Sequence, residues 1–418
     1  MFDQLYRRRQ ARQRHTTSPL LQERLGFLQE CANEGYSTAT LRGIAADLLV
    51  IQNLLGLPES AQKLGPPAVK VAIEKWIARQ PKHFNHRNGR RGCENLTQRA
   101  MHWLRYMDRL QASVPKTNAF GRLVEDFAGY MRLQRGLSEE TIKTRCWYVE
   151  DFLQWFVSKD RSLSDITIAD IDEAIARKGR DDGYSRLSVQ VYASGIRNFF
   201  RHAERRGWCR RGLADLIEAP RVYQYESLPR GPSWDDVQRL IATAEKGTPK
   251  DLRDRAMLLL LAVYGLRSGE VRALKLEHLD WEKNLIWVPR AKGRRTQCYP
   301  LTETVGEAIL CYLEDGRPKS SGYREVFLTV EAPIQPLRRS SVWTMVAKRL
   351  RPLGVPLRQH GPHVLRHACA THLLAQGLSL KEIGDHLGQR LPKTTAVYAK
   401  VNMAGLREVA NFSLGGLA

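Results

Sequence analysis

The spacing of apolar residues predicts helices throughout the first half of the chain. Between residues 20 and 112 they recur at helical intervals, first at Leu41, Ile44, Leu48, Ile51 and Leu55, and again at Ala100, Trp103, Leu104 and Met107. This spacing places each series on one buried helical face. The basic stretch between the two series, from Lys82 to Arg91, predicts a loop, and residues 1–19 predict a basic, mostly disordered arm.

A second helical segment covers residues 116–219, after a linker marked by Pro115. Ser138 begins the sequence S-E-E-T, which predicts a helix cap. Apolar residues then follow at Ile142, Val149, Phe152, Trp155 and Phe156, and a further helix carries Val191, Ile196, Phe199 and Phe200. Ser37 precedes the earlier apolar series at the offsets at which Ser138 precedes this one. The match favours a diverged repeat of one helical module over two amphipathic helices that coincide in spacing.

The second half of the chain has a mixed pattern. Four helix-interrupting residues define a linker over residues 220–232, namely Pro220, Pro229, Gly231 and Pro232. Ser233 then predicts a helix cap, and residues 285–289 and 299–301 predict two strands of a hairpin. The sequence therefore predicts a multidomain, mainly α protein. Its helical N-terminal modules precede an α+β domain over residues 233–405 and a tail over residues 406–418.

The net charge of the chain indicates the kind of partner that it binds. The formal net charge is +22, and arginine supplies most of the basic residues. This balance is typical of proteins that bind nucleic acid, and a protein with an unusual surface is the alternative. The seven cysteines never form a C-x-x-C pair, which argues against disulfides or cysteine zinc sites and favours a reducing, cytoplasmic setting. Without an apolar run of 18 residues or a secretory signal, we expect no membrane partner.

Two motifs place cations where they could bind a phosphate. In Tyr264-Gly-Leu-Arg-Ser-Gly-Glu-Val, a buried helix ends and Arg267 precedes a new helix with Glu270 in its first turn. A helix N-terminus favours a bound anion, so Arg267 is a candidate phosphate ligand, with a surface arginine as the alternative. In Ala291-Lys-Gly-Arg-Arg, Lys292 lies at the predicted hairpin tip, where its amine could reach a phosphate ester, although a lone basic turn is usually solvated.

The sequence Gly361-Pro-His-Val-Leu-Arg-His places His363 and Arg366 on one face of a predicted helix. The pair suits proton transfer and phosphate binding. A zinc site is the rival hypothesis, because His363 and His367 have the i, i+4 spacing of helical zinc ligands. The zinc hypothesis is the weaker one, since Arg366 lies between these histidines and such enzymes usually carry a glutamate base there.

Tyr398 lies on a predicted short helix after Leu387-Gly-Gln-Arg. Alone, such a tyrosine is normally a half-buried core residue. In order and spacing, the candidate residues resemble the motifs of the tyrosine recombinase (phage integrase) family: Arg267 with Glu270, Lys292, His363 with Arg366, and Tyr398. The resemblance covers residues 118–405 and is most specific over residues 264–400. The family usually has histidine or tryptophan after this Leu-Gly pair; here Gln389 can donate a hydrogen bond but cannot act as an acid.

The resemblance implies the chemistry of the site. Tyr398 would attack a DNA phosphorus atom, giving a 3′-phosphotyrosyl link and a free 5′-hydroxyl, without a metal or other cofactor. The roles implied for the other residues are phosphate binding for Arg267 and Arg366, protonation of the leaving 5′-oxygen for Lys292, proton transfer from the tyrosine for His363, orientation of Arg267 for Glu270, and hydrogen-bond donation for Gln389.

The resemblance also implies an architecture and partners. The family forms a C-shaped clamp around duplex DNA, so residues 116–219 would be a SAM-like core-binding domain and residues 233–405 the catalytic domain. Candidate DNA contacts are Arg197, Arg201, Arg205, Arg294 and Arg295. The implied partners are double-stranded DNA, further copies of the chain in a tetramer on DNA, and partner recombinases, in the nucleoid of a bacterial cell.

Three alternatives to a site-specific recombinase of a mobile element stay open at this point. The first is a DNA-relaxing topoisomerase with the same chemistry. The second is a DNA-binding architectural protein that has lost activity, of which Gln389 would be an early sign. RNA binding is the third and the weakest, because no RNA-binding module signature occurs. The complete set of candidate residues favours an active enzyme.

Overall fold

A computed structural model describes residues 1–79, 82–111, 120–157, 161–222, 231–290, 295–319, 322–389, 395 and 397–398, with the backbone alone for residues 82–91 and 295. The chain divides into two compact units, residues 1–111 with 227–418 and residues 112–226. Each unit has its own hydrophobic cores. Within the described part of the chain, no helix is both long enough and apolar enough to cross a membrane.

The N-terminal part of the first unit is a helical bundle. Its helices are α1 (Phe2–Leu5), α2 (Arg9–Thr17), α3 (Leu21–Asn33), α4 (Thr38–Leu54), α5 (Pro66–Ala78) and α6 (Lys82–Tyr106). Phe27, Leu48, Ile73 and Trp103 are fully buried in its core. The predicted helices are thus confirmed, because the apolar series form the faces that pack together.

Two predictions for this bundle were wrong. The first residues form helices instead of a disordered arm, because Phe2 and Leu5 enter the core and His15 stacks on the Phe2 ring at 5.0 Å. The backbone from residue 82 to 91 is helical instead of a loop, and it continues into the apolar part of α6. A polar sequence without proline can itself form a helix, and the spacing of apolar residues does not reveal such a helix.

The second unit is a separate helical bundle. It contains α7 (Gly121–Leu133), α8 (Glu139–Val157), α9 (Ile168–Arg180), α10 (Arg186–Arg206) and the short α11 (Leu213–Leu216). Its core is rich in aromatic side chains, among them Phe127, Phe152 and Phe199. The predicted cap is confirmed, since the Thr141 backbone N–H donates to Ser138 Oγ at 3.4 Å.

The C-terminal part of the first unit combines helices with a small sheet. Its elements are α12 (Trp234–Ala242), α13 (Pro249–Val263), α14 (Ser268–Arg272), β1 (Leu279–Asp280), β2 (Leu285–Arg290), β3 (Arg295–Pro300), α15 (Glu303–Cys311), a π-helical turn (Tyr312–Gly316), α16 (Arg339–Leu350), α17 (His363–Ala375) and α18 (Leu380–Leu387). The sheet is antiparallel in the order β1-β2-β3, and its register pairs Leu285 with Pro300. The predicted hairpin and α+β character are confirmed.

Helix α13 organises this domain. Its residues from Ala256 to Ala262 are all buried, so the helix is apolar on every side and other elements pack around it. Thr248 caps its first turn by accepting from the Asp251 backbone N–H. Its other end leads directly to Arg267, and the fold therefore places the first candidate residue beside the centre of the core.

Candidate active site

The turn after α13 fixes the position of Arg267. Gly265 has a φ of +57°, and a Cβ at this position would collide with the Leu387 side chain. Only glycine adopts this backbone without strain and leaves room for the neighbouring chain. Arg267 then caps α14, and its Nη1 donates to Glu270 Oε1 at 2.9 Å.

The Glu270 carboxylate joins two arginines. It is buried, and Oε2 accepts from the Arg267 backbone N–H at 2.8 Å and from Arg290 Nη1 at 2.6 Å. Arg290 is buried too and donates from Nε to Gln297 Oε1 at 3.0 Å. Sequence reasoning missed Arg290, although a signal existed: Ile286, Val288 and Arg290 alternate on the buried face of β2.

Arg366 is the buried cation of the site. Its side chain extends from α17 and donates from Nη1 to the Gly265 carbonyl at 2.6 Å and from Nη2 to the Leu387 carbonyl at 2.7 Å. Burial, followed by the nearby charge of Arg267, lowers the pKa of Arg366 to about 10. The group therefore stays cationic at neutral pH and lies within electrostatic range of the other candidate arginine.

Two histidines lie side by side on α17. The ring centroids of His363 and His367 are 5.1 Å apart. Burial lowers the pKa of His363, and the positive charges of Arg366 and Arg267 lower it further. Burial also lowers the pKa of His367 to about 4, with smaller contributions from His363 and Arg366. Both rings are therefore neutral at pH 7 and can accept a proton.

His367, which the sequence suggested only as a weak zinc ligand, contacts the candidate nucleophile. Its Nδ1 lies 3.1 Å from the Tyr398 hydroxyl. The i, i+4 spacing from His363 was visible in the sequence, but the tyrosine partner was not. His386, the other nearby histidine, instead hydrogen-bonds through Nε2 with the Val263 carbonyl at 3.1 Å, which gives it a structural role.

Tyr398 itself is only 2% exposed. Burial raises the pKa of its phenol, whereas the Arg366 charge and a hydrogen bond with Gln389 lower it. Gln389 also accepts through Oε1 from Thr395 Oγ1 at 2.7 Å. The structure thus brings Tyr398, Gln389, Arg366 and His367 into one cluster, in which a cation and two hydrogen-bonding groups surround the phenol.

The remaining predicted residues lie elsewhere or outside the described residues. Lys292 and Arg294 are outside them, and for Arg295 only the backbone is described, at the start of β3. In the second unit, Arg197 donates from Nη2 to the Ile217 carbonyl at 2.5 Å, and Arg201 pairs with Asp215 at 3.3 Å. Arg205 stacks over the Tyr130 ring at 4.5 Å.

One group of side chains in the described part of the chain could hold a metal ion, and it is far along the sequence from these residues. Ligand atoms of Glu30, Glu34 and His102 lie within 4.8 Å of one another in the N-terminal bundle. Exposed acidic groups often cluster in this way without an ion. Around Tyr398, the charges next to the phenol come from arginines, which suit a phosphate anion better than a metal cation.

Comparison with known proteins decides the family. Residues 233–404 match the model of the phage integrase family, and residues 124–207 match the phage integrase N-terminal SAM-like domain. The tyrosine recombinase XerD of Listeria innocua is 32% identical over 294 residues, which are 69% of this chain and 96% of XerD. The chain belongs to the phage integrase family of tyrosine recombinases.

A further relative is similar to this chain in sequence, and two solved structures are similar to it in fold. The tyrosine recombinase XerA of Thermococcus kodakarensis is 30% identical, over 68% of this chain and 93% of XerA. The crystal structure of XerH bound to palindromic difH, a post-cleavage complex, has a TM-score of 0.53 at 17% identity and covers 73% of this chain and 92% of XerH. A lambda integrase dimer bound to a COC′ core site has a TM-score of 0.52 at 17% identity, over 66% and 94% of the two chains.

Membership in the phage integrase family confirms the predicted fold class and activity. The chain has the SAM-like helical domain and the catalytic domain that the resemblance implied. It is a tyrosine-type site-specific DNA recombinase. The relatives are recombinases and integrases, so the topoisomerase and the inactive architectural protein are not favoured.

Proposed function

We propose that Tyr398 is the nucleophile and that Arg267 and Arg366 bind the scissile phosphate. The observation that carries the assignment is the cluster around the phenol, in which Arg366 and Gln389 act on the same hydroxyl. Two guanidinium groups can neutralise the charge that builds on the non-bridging oxygens in the transition state. Glu270 orients Arg267, since it accepts from both its guanidinium and its backbone N–H.

The cleavage needs no external energy source, because the phosphoester bond that forms replaces the one that breaks. The Tyr398 oxygen forms a bond to phosphorus while the bond from phosphorus to the 5′-oxygen breaks. The phenol proton leaves toward a neutral histidine, and His363 is the family's candidate for this role. Lys292 supplies the proton for the leaving 5′-oxygen, and Gln389 donates a hydrogen bond to a phosphate oxygen. Attack by another strand's 5′-hydroxyl reverses the link and exchanges the strands.

The buried position of Tyr398 sets a condition on this chemistry. A phenol that is 2% exposed cannot reach the phosphorus of a bound duplex. The phenol must therefore turn toward the phosphate when DNA occupies the site. Because burial raises the phenol pKa, ionisation is favoured only after the arginines and the phosphate have come together.

We further propose that the substrate is duplex DNA, bound by a homo-oligomer that becomes a tetramer on the DNA. A lambda integrase tetramer bound to a Holliday junction shares this fold, with a TM-score of 0.52. Arg201 and Arg205 are exposed on α10 and suit phosphate contacts, and Arg294 and Arg295 stay candidates on the sequence alone. Arg197 is half-buried and would first have to release the Ile217 carbonyl. Such an enzyme of a mobile element, alone or with a partner recombinase, would work at the bacterial nucleoid.

The test is a covalent-trapping experiment. Nicked duplex DNA from the flanks of the gene's own element is incubated with the protein, and denaturing gels reveal covalent protein–DNA bands. Wild type should give a band, and Tyr398→Phe should lose it by at least about a thousandfold, because the nucleophile is gone. Tyr323→Phe is the matched control, since Tyr323 is exposed and its loss should leave the band intact. Tight binding without any band from wild type would overturn the proposal.

A further inference from the structure

The N-terminal bundle and the second unit have the same order of helices. Helices α3 to α6 have 13, 17, 13 and 25 residues, and α7 to α10 have 13, 19, 13 and 21. In both bundles the second helix packs against the first, third and fourth, and the third packs against the fourth. Four-helix bundles can be connected and packed in several ways, so this agreement is a specific one.

Buried positions also correspond between the two bundles. Each helix pair has at least two buried positions at a constant offset, which is 100, 101, 102 and 96 residues for the four pairs in order. One example from each pair is Phe27 with Phe127, Leu48 with Val149, Ile73 with Ile175, and Trp103 with Phe199. The ring of Phe27 lies 5.5 Å from Tyr106, and the ring of Phe127 lies 5.7 Å from His202, at equivalent positions of the first and fourth helices.

The turn between the first two helices is the same as well. Gly35 and Gly136 both have positive φ, at +88° and +57°. Ser37 Oγ lies 2.9 Å from Thr40 Oγ1, and Ser138 Oγ lies 2.9 Å from Thr141 Oγ1. A shared left-handed glycine and a shared side-chain cap, both at an offset of 101 residues, extend the correspondence to a segment that the core does not constrain.

The two bundles differ in charge. Residues 1–111 contain 18 basic and nine acidic residues, a net charge of +9, whereas residues 116–219 contain 18 basic and 16 acidic residues, a net charge of +2. Arg105 of α6 is equivalent to Arg201 of α10. Arg201 pairs with Asp215 at 3.3 Å, whereas in the described part of the chain no acidic side chain pairs with the exposed Arg105. Arg7, Arg8, Arg9 and Arg14 add further exposed charge.

We propose that residues 21–107 are a second copy of the core-binding bundle and that the N-terminal part of the chain binds duplex DNA outside the core site. Phosphate contacts by exposed arginines supply affinity without base recognition. The N-terminal bundle has the buried pattern of the core-binding bundle but carries more positive charge, so we expect it to bind DNA through such contacts. The other polyanion that this surface could meet is an acidic protein face, and the test below separates the two.

The experiment measures binding in the full-length chain with Tyr398→Phe, so that no cleavage intervenes. The variant combines Arg9→Glu, at the start of α2 where an acidic residue suits the helix dipole, with Arg105→Gln. The control combines Lys250→Glu, in the first turn of α13, with Lys246→Gln, which changes the net charge equally. Lys250 lies about 20 Å along the axis of α13 from Val263, at the end of the helix that leads to Arg267, since a helix rises about 1.5 Å per residue.

Each protein is titrated with a long duplex from the element's flank and with the same duplex trimmed to the core site. On the long duplex, we expect the variant to lose about two units of the salt-dependence slope and at least about tenfold in affinity, with a shorter footprint. On the trimmed duplex, variant and background should bind alike, and the control should match the background on both. Equal thermal midpoints establish that every protein is folded.

Two results would overturn the inference. If the variant and the control lose affinity equally, net charge and not the N-terminal surface is responsible. If the variant binds the long duplex as the background does but assembles less on it, the surface meets protein. The binding measurement involves no catalysis, so its outcome is independent of the covalent-trapping experiment. That experiment tests only whether Tyr398 is the nucleophile.

Discussion

The Tyr398 hydroxyl lies 3.1 Å from Nδ1 of His367, one helical turn beyond the histidine that the family motif contains. Because the pKa of His367 is held at about 4, its ring is neutral at pH 7 and Nδ1 can accept the phenol proton when Nε2 carries the ring proton. The imidazolium that results would lie beside Arg366 and His363, which disfavours it until an anionic phosphate is present. The contact therefore positions the tyrosine and makes ionisation of its phenol depend on the binding of DNA.

We expect His367→Ala to slow formation of the covalent complex by about 10- to 100-fold, since a positioned proton acceptor is typically worth about 10²–10⁴ and His363 remains. His367→Gln keeps a hydrogen-bonding group at the site and should recover part of the rate at high pH. Rates of covalent-band formation between pH 5.5 and 9 measure both. An unchanged rate and pH profile in the alanine variant would show that the contact only fills space.

Gly265→Ala should disrupt both the fold and the phosphate-binding site. Its φ of +57° strains an alanine, and the new methyl group collides with Leu387, whose carbonyl accepts from Arg366. We expect a loss of about 2–4 kcal/mol in the free energy of unfolding, from urea titration, and little covalent complex.

Gly269→Ala is the matched control for that substitution. Gly269 lies in α14, four residues away, and a Cβ there meets nothing within 4 Å. A helical alanine should keep or raise stability by up to about 1 kcal/mol. If both alanines cost the same, the close approach of Leu387 to Gly265 does not matter.

Glu270→Gln should be more destabilising than a conservative change suggests. Arg290 has a side chain that is 6% exposed and loses its anionic partner, so the free energy of unfolding should fall by about 3–5 kcal/mol. The double variant Glu270→Gln with Arg290→Met removes the unpaired charge and should recover part of that loss. Urea titrations of the single and double variants measure this coupling, and strictly additive losses would contradict it.

Stability should fall in mildly acidic solution. His367 and His15 both have pKa values lowered to about 4 by burial, against an ordinary value of 6.5. Below pH 6.5 the unfolded chain therefore binds more protons than the folded chain, and the stability held above pH 6.5 is lost as the pH falls toward 4. Between pH 7.5 and 5 we expect about 2 kcal/mol of loss per imidazole. His367→Gln should reduce that loss; an identical pH dependence in wild type and variant would exclude a buried neutral His367.

The sequence by itself determined the helices with an apolar face, two of their caps and the order of the catalytic motifs. Apolar spacing identified α4 and α8, Ser138 and Ser233 cap the helices that they were expected to begin, and the motif order identified the family. These features depend on residues within a few positions of each other, or on their order, and both can be seen in a chain that has not folded.

The tertiary structure decided which buried polar groups meet. Arg290 contacts Glu270, which is 20 positions away in the sequence, and His367 contacts Tyr398, which is 31 positions away. Likewise His386 binds a backbone carbonyl 123 positions away. Periodicity shows which face of an element turns inward, but the partner of a buried charge depends on how separate elements pack. Because an unpaired charge is costly only once it is buried, these pairings arise when the core forms and leave little trace in local sequence.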